Sequence, residues 1–182
     1  MKKTIKERRI EVLKDALLQI KAKKYKITQG TYVELSPTLE KLIKKIDSGF
    51  HPEADVSAQE CLLTDKKACK VCAKGAIFLS LIKKENEVML SEIYSSTIRE
   101  EKTEKLFGKK NLDLMEAAFE KWMYITNEKD NPYSSYKTDT WTGDYRFKDV
   151  SIEKFVKKHP KKDDRLIAIL KNSIKNDGIF KP

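Results

Sequence analysis

Apolar positions recur at helical spacing over most of this chain, and one segment stands apart. Residues 68–84, ACKVCAKGAIFLSLIKK, are apolar on nearly every side. At a 3.6-residue period, Cys69, Cys72, Ala73, Ala76 and Ser80 fall on a face of small side chains, and Val71, Gly75, Phe78 and Ile82 on a bulkier one. Only Lys70 and Lys74 interrupt the segment before Lys83 and Lys84 close it. Such a helix is predicted to sit inside a core, with neighbouring helices brought close by Gly75 and the small residues.

The remaining pattern supplies what packs around it. A first amphipathic helix is predicted over 4–23, with Ile5, Ile10, Leu13, Leu17 and Ile20 on its apolar side. The β-branched and aromatic stretch 25–35, around Gly30, predicts a short β-ribbon. Ser36 and Pro37 read as a cap and first helical residue, with Leu39, Leu42, Ile43 and Ile46 as the buried stripe and Ser48-Gly49 as the stop. After a loop over 50–56, Ser57 and Glu60 fit a capping box. Ser96-Thr97 opens a helix that ends at Gly108. Asn111 is predicted to cap a long helix that buries Met115, Ala118, Phe119, Trp122 and Ile125. A short helix over 150–158, stopped by His159-Pro160, and a last one over 163–175 complete the series. The expected architecture is mainly α, one multi-helix domain over 1–182 built around the 68–84 helix.

Composition agrees with a folded domain: 182 residues, 36% charged and 40% hydrophobic, enough to bury a core without disulfides or metal as a necessity. The net charge of +10 changes the picture because of where it lies. Residues 1–26 hold ten Lys and Arg against Glu7, Glu11 and Asp15, a net of +7. Residues 146–182 hold eleven against five acids, a net of +6, which leaves the middle at about −3. Basic ends suggest a phosphate-bearing or acidic partner, while a Lys-rich solvated surface is the plain alternative. Charges break up the N-terminal segment before any long apolar run, the longest apolar run (75–82) is too short for a bilayer, and the cysteines number three. These features predict a cytoplasmic protein, with neither a membrane anchor nor a disulfide framework.

Candidate chemistry lies in three places. Cys61, Cys69 and Cys72 with His51 allow a zinc site of three cysteines and one histidine to be drawn. Cys69 and Cys72, on a helix face shared with alanines, would instead be small packing residues, and a reactive thiol is the third reading. The stretch 127–149 interleaves Tyr133, Tyr136, Trp141 and Tyr145 with Lys137, Arg146 and Lys148. Rings beside cations can stack on unpaired bases while the charges hold phosphates, or the rings can fold back over the core. Third, Lys2, Lys3, Lys6, Arg8, Arg9, Lys21, Lys23, Lys24 and Lys26 could track a phosphate backbone or simply be solvated. The six glycines are far apart, which excludes a P-loop and a dinucleotide fingerprint, and neither a zincin nor a nucleophile-elbow motif occurs.

CKVCAKGAIFLSLI (69–82), LFGKKNLDLMEAAFEKW (106–122) and DRLIAILKNSIKNDGIFKP (164–182) together resemble a group of small, uncharacterised bacterial and phage-borne proteins. That group carries a C-x-x-G-A helix, a helix ending in A-F-E and a closing N-x-G-x-F-P segment; here a lysine, Lys181, separates Phe180 from Pro182. The resemblance implies a shared helical domain and a mobile-element origin, and it brings no activity with it. The function expected from all of this is a non-enzymatic binding protein that engages RNA, DNA or a nucleoprotein through its basic ends and aromatic loop. An anti-defence inhibitor of an RNA-guided nuclease is one concrete form. A zinc-stabilised module and a thiol enzyme are the alternatives.

Overall fold

The computed structural model describes residues 3–29, 33–35, 37, 41, 69–85, 96–120 and 150–182. Among them the protein is mainly helical, with a small three-stranded sheet. Of the expected helix near 36–48 only Pro37 and Lys41 are described, and the Ser57 capping box and the 127–149 loop lie outside the described residues.

Helix α1 (Ile5–Lys21) starts where its sequence provides a reciprocal cap. The Glu7 amide donates to Thr4 Oγ1 at 3.2 Å, and the Thr4 amide donates to Glu7 Oε2 at 2.8 Å. These bonds to Thr4 hold the Glu7 carboxyl below its usual range. The helix stops at Lys23, which takes a positive φ of 55° while the Lys24 amide donates to Gln19 O. Its apolar stripe is rotated from the expected one. Leu13 and Ile20 are buried, but Val12 and Ala16 join them, Ile10 and Leu17 are half-buried, and Ile5 is 58% exposed. The rotation follows from polar residues on the buried side: Asp15 and Gln19 are buried, and Lys83 donates to Asp15 Oδ1 at 3.0 Å.

The predicted ribbon over 25–35 is replaced by a sheet that closes through a distant segment. Strands β1 (Tyr25–Ile27) and β2 (Val33–Leu35) do not pair with each other; β3 (Cys69–Val71) lies between them. β3 runs parallel to β1, with Ile27 opposite Val71, and antiparallel to β2, with Glu34 opposite Lys70 in an ion pair. This corrects the expected helix over 68–84. Residues 69–71 satisfy their backbone groups on two flanking strands, and helix α2 (Ala73–Glu85) begins only after Cys72. Cys69 and Cys72 therefore do not share a helix face with the alanines.

α2 is the core element its composition predicts: Ala73, Ala76, Ile77, Phe78, Leu79, Ser80 and Leu81 are all buried. α1, α3 (Ser96–Phe107) and α4 (Lys109–Glu120) pack around it. Gly108, at φ 77°, is the whole joint between α3 and α4, so α4 starts two residues before Asn111. Asn111 is consequently not a cap. It lies buried inside α4, donates to Gly178 O at 3.0 Å and accepts from the Phe180 amide at 2.8 Å. Lys74, early in α2, reaches Asp113 at 3.0 Å and Glu116 at 2.7 Å on α4. Burial opposes its charge, but Glu116 and then Asp113 outweigh burial and hold the ammonium above its usual 10.5.

Helix α5 (Val150–Lys158) packs on α4, and α6 (Lys162–Lys175) packs on both α1 and α4. Arg165, fully buried near the start of α6, ties these pieces together. Its Nε donates to Phe119 O at 3.0 Å, and its Nη1 donates to the His159 and Pro160 carbonyls, both at 3.1 Å. A guanidinium thus serves a carbonyl in the last described turn of α4 and two carbonyls that follow α5, where a cation also suits the α5 dipole. Phe119 O accepts a second bond, from Gln29 Nε2 at 2.9 Å, which fastens the chain just beyond β1 to the same point.

Candidate nucleic-acid interface

The basic residues predicted on the first helix do not form one continuous face. Lys3, Lys6, Arg8 and Arg9 sit at the start of α1, and Lys21, Lys23, Lys24 and Lys26 at and beyond its end, about 25 Å apart for 17 residues at 1.5 Å rise. Arg9 is committed to the fold. Its Nε donates to Leu106 O at 2.6 Å, and its aliphatic stem lies against Gly178. Lys3 pairs with Glu11 at 2.5 Å, with the result that the Glu11 carboxyl is held low. Lys21, Lys23 and Lys26 are exposed and Lys24 is half-buried. Lys2 and the loop residues Tyr133, Tyr136, Lys137, Trp141, Tyr145, Arg146 and Lys148 lie outside the described residues.

What the fold does bring together is the start of α1 and the end of α6. Lys6 reaches Asp177 at 2.9 Å, directly after the last turn of α6, and Gly178 meets Arg9. The same tail is folded back on α6: Asn172 Nδ2 donates to Lys181 O at 2.7 Å and Asn172 Oδ1 accepts from the Lys181 amide at 2.9 Å. Lys3, Lys6 and Arg8 from one terminus thereby lie beside the stretch of chain that carries Lys171, Lys175 and Lys181 from the other. All six are exposed, and Lys171, Lys175 and Lys181 make no ion pair among the described residues. In the sequence these last three lysines are visible only as part of the net +6 of the C-terminal segment. A sharper signal lies in the spacing of 171 and 175, one turn apart and opposite Leu166, Ile169 and Leu170.

Among the three cysteines, the side chain described is that of Cys72. Cys72 is buried at the junction of β3 and α2, and desolvation pushes its thiol up from 9.0 to about 11, against the helix-start amides of Gly75 and Lys74 that pull it down. A thiol so placed is protonated near neutral pH and a poor nucleophile. Cys69 belongs to strand β3, while His51 and Cys61 lie outside the described residues. Among the described residues, no three His, Cys, Asp or Glu side chains converge as metal ligands, and no helix is long and apolar enough to cross a membrane.

No protein-family model, curated protein or solved structure matches the chain. Cys72, Gly75 and Ala76 are buried around the start of α2, Ala118-Phe119-Glu120 closes α4, and Gly178 and Phe180 are the buried tail.

Proposed function

We propose that this chain binds a polyanion, either a nucleic acid or the nucleic-acid-bearing face of a nucleoprotein, through the cationic cluster where α1 begins and α6 ends. One observation carries the reading: two basic segments more than 160 positions apart in sequence are brought side by side where α1 begins and α6 ends, as the Lys6–Asp177 pair marks. Lysine ammonium groups attract phosphates by charge and counterion release without reading base identity. The aromatic segment 127–149 would add stacking on unpaired bases. In its most specific form, the partner is an RNA-guided nuclease whose guide or target channel the chain blocks, consistent with the mobile-element resemblance.

The test is fluorescence anisotropy with single-stranded RNA, single-stranded DNA and duplex DNA, repeated across salt concentrations. Binding should be strongest at low salt. Replacing Lys171 and Lys175 together by Glu should weaken it and flatten the salt dependence by about one unit of log–log slope for each phosphate no longer neutralised. Negligible affinity for all three at low salt overturns the direct form. The nucleoprotein form predicts a partner captured from host lysate that is lost on nuclease treatment.

A further inference from the structure

The outward face of α1 bears a stripe whose spacing is the same in either direction. Glu7, Ile10, Lys14, Leu18 and Lys21 follow at steps of three, four, four and three residues, which sets them along one line of the helix. Leu18 is 62% exposed and Ile10 half-buried, and together with Glu7, Glu11, Lys14 and Lys84 of α2 they line an open groove of about 490 Å³. Charge in the groove is locally balanced: Glu11 is matched by Lys3 and Lys84, and the adjoining Asp15 by Lys83. In a chain of net +10, such a neutral, part-apolar strip is where a second copy meets the least repulsion.

We propose that this stripe is a weak, antiparallel contact with a second copy of this chain, about a two-fold axis at Lys14. A two-fold interface requires that residue i meet j and j meet i. About Lys14, Glu7 falls opposite Lys21 of the second copy and Ile10 opposite Leu18, each twice, so that charge and apolar surface match at every position but the centre. There Lys14 faces its own symmetry mate, an unfavourable pairing that limits affinity. One helix of about 25 Å on each side buries less than a standard interface, which places the equilibrium in the micromolar range. The proposal does not depend on the polyanion reading.

Sedimentation of the full chain across the micromolar range, at physiological salt where the overall repulsion is screened, tests it directly. Wild-type mass should rise from monomer towards dimer with concentration. Lys14→Leu, which removes the facing charges and joins Ile10 to Leu18, should tighten the dimer by about tenfold or more. Leu18→Glu should abolish it, and Lys21→Glu, which sets two carboxylates face to face, should weaken it strongly. All three positions are exposed, so the variants keep the fold, which circular dichroism and melting check. A wild type that stays monomeric throughout overturns the proposal, even if Lys14→Leu dimerises. Association untouched by Lys21→Glu overturns it too, because the contact then lies elsewhere.

Discussion

Gly108 and Gly178 both adopt positive φ, at 77° and 89°, but their surroundings set different penalties for the same change. A Cβ on Gly108 would meet open space, so Gly108→Ala bears only the left-handed backbone penalty, about 1 kcal/mol. A Cβ on Gly178 would lie 2.5 Å from Arg9 Cβ, close to the α1 backbone, where little can give way. Gly178→Ala should therefore cost about 3 kcal/mol, the sum of backbone strain and overpacking. Urea denaturation of the two variants against wild type measures the difference; equal losses would mean that the tail does not press on α1. Arg165 belongs to the same scale. Its burial and its three carbonyl partners cannot be anticipated from a pattern that marks arginine as a surface residue.

At the scale of elements, hydrophobic period locates α1 and α6, punctuation at Ser96-Thr97, Gly108 and His159-Pro160 locates α3 and α5, and the all-round apolar run locates α2 but starts it five residues too early. It fails where a local signal is overridden by partners far away in sequence. Cys69–Val71 suits the apolar run of α2 as well as it suits a strand, and only β1 and β2 on either side decide in favour of the strand. Asn111 reads as a cap because its acceptor role is the same in a cap and in a tail clamp, and the Gly108 joint assigns it to the latter. The candidate interface is legible as terminal charge, but which lysines meet depends on α1 packing against α6, which no local pattern encodes. The clamp itself is testable. Asn111→Ala should cost about 2 kcal/mol and raise amide exchange at 178–181 more than in α2. Unchanged exchange in the tail would show that Phe180 and the Asn172 bonds to Lys181 anchor it without Asn111.

For the molecule as a whole, Cys72 is a built-in reporter. The thiol is buried under β3 and α2 and held neutral, so alkylation near neutral pH should proceed only through global opening and track the stability measured by denaturant. Peptide mapping of Cys72 after pulse labelling checks this; rapid native-state labelling would refute it. The same shift makes stability depend on pH in one direction. The folded thiol, raised to about 11, stays protonated where the unfolded one, near 9.0, ionises, so its contribution is intact below pH 9 and is lost as pH climbs towards 11. The order of strands has a consequence for biosynthesis. When residue 35 leaves the ribosome, β1 and β2 are both made, but the strand that joins them is still 34 positions away, at Cys69. At roughly 5–20 residues per second, the nascent chain spends seconds with two strand edges awaiting their centre. A chaperone that shields residues 25–35 over that interval should raise the yield of folded protein more than one acting on the completed chain.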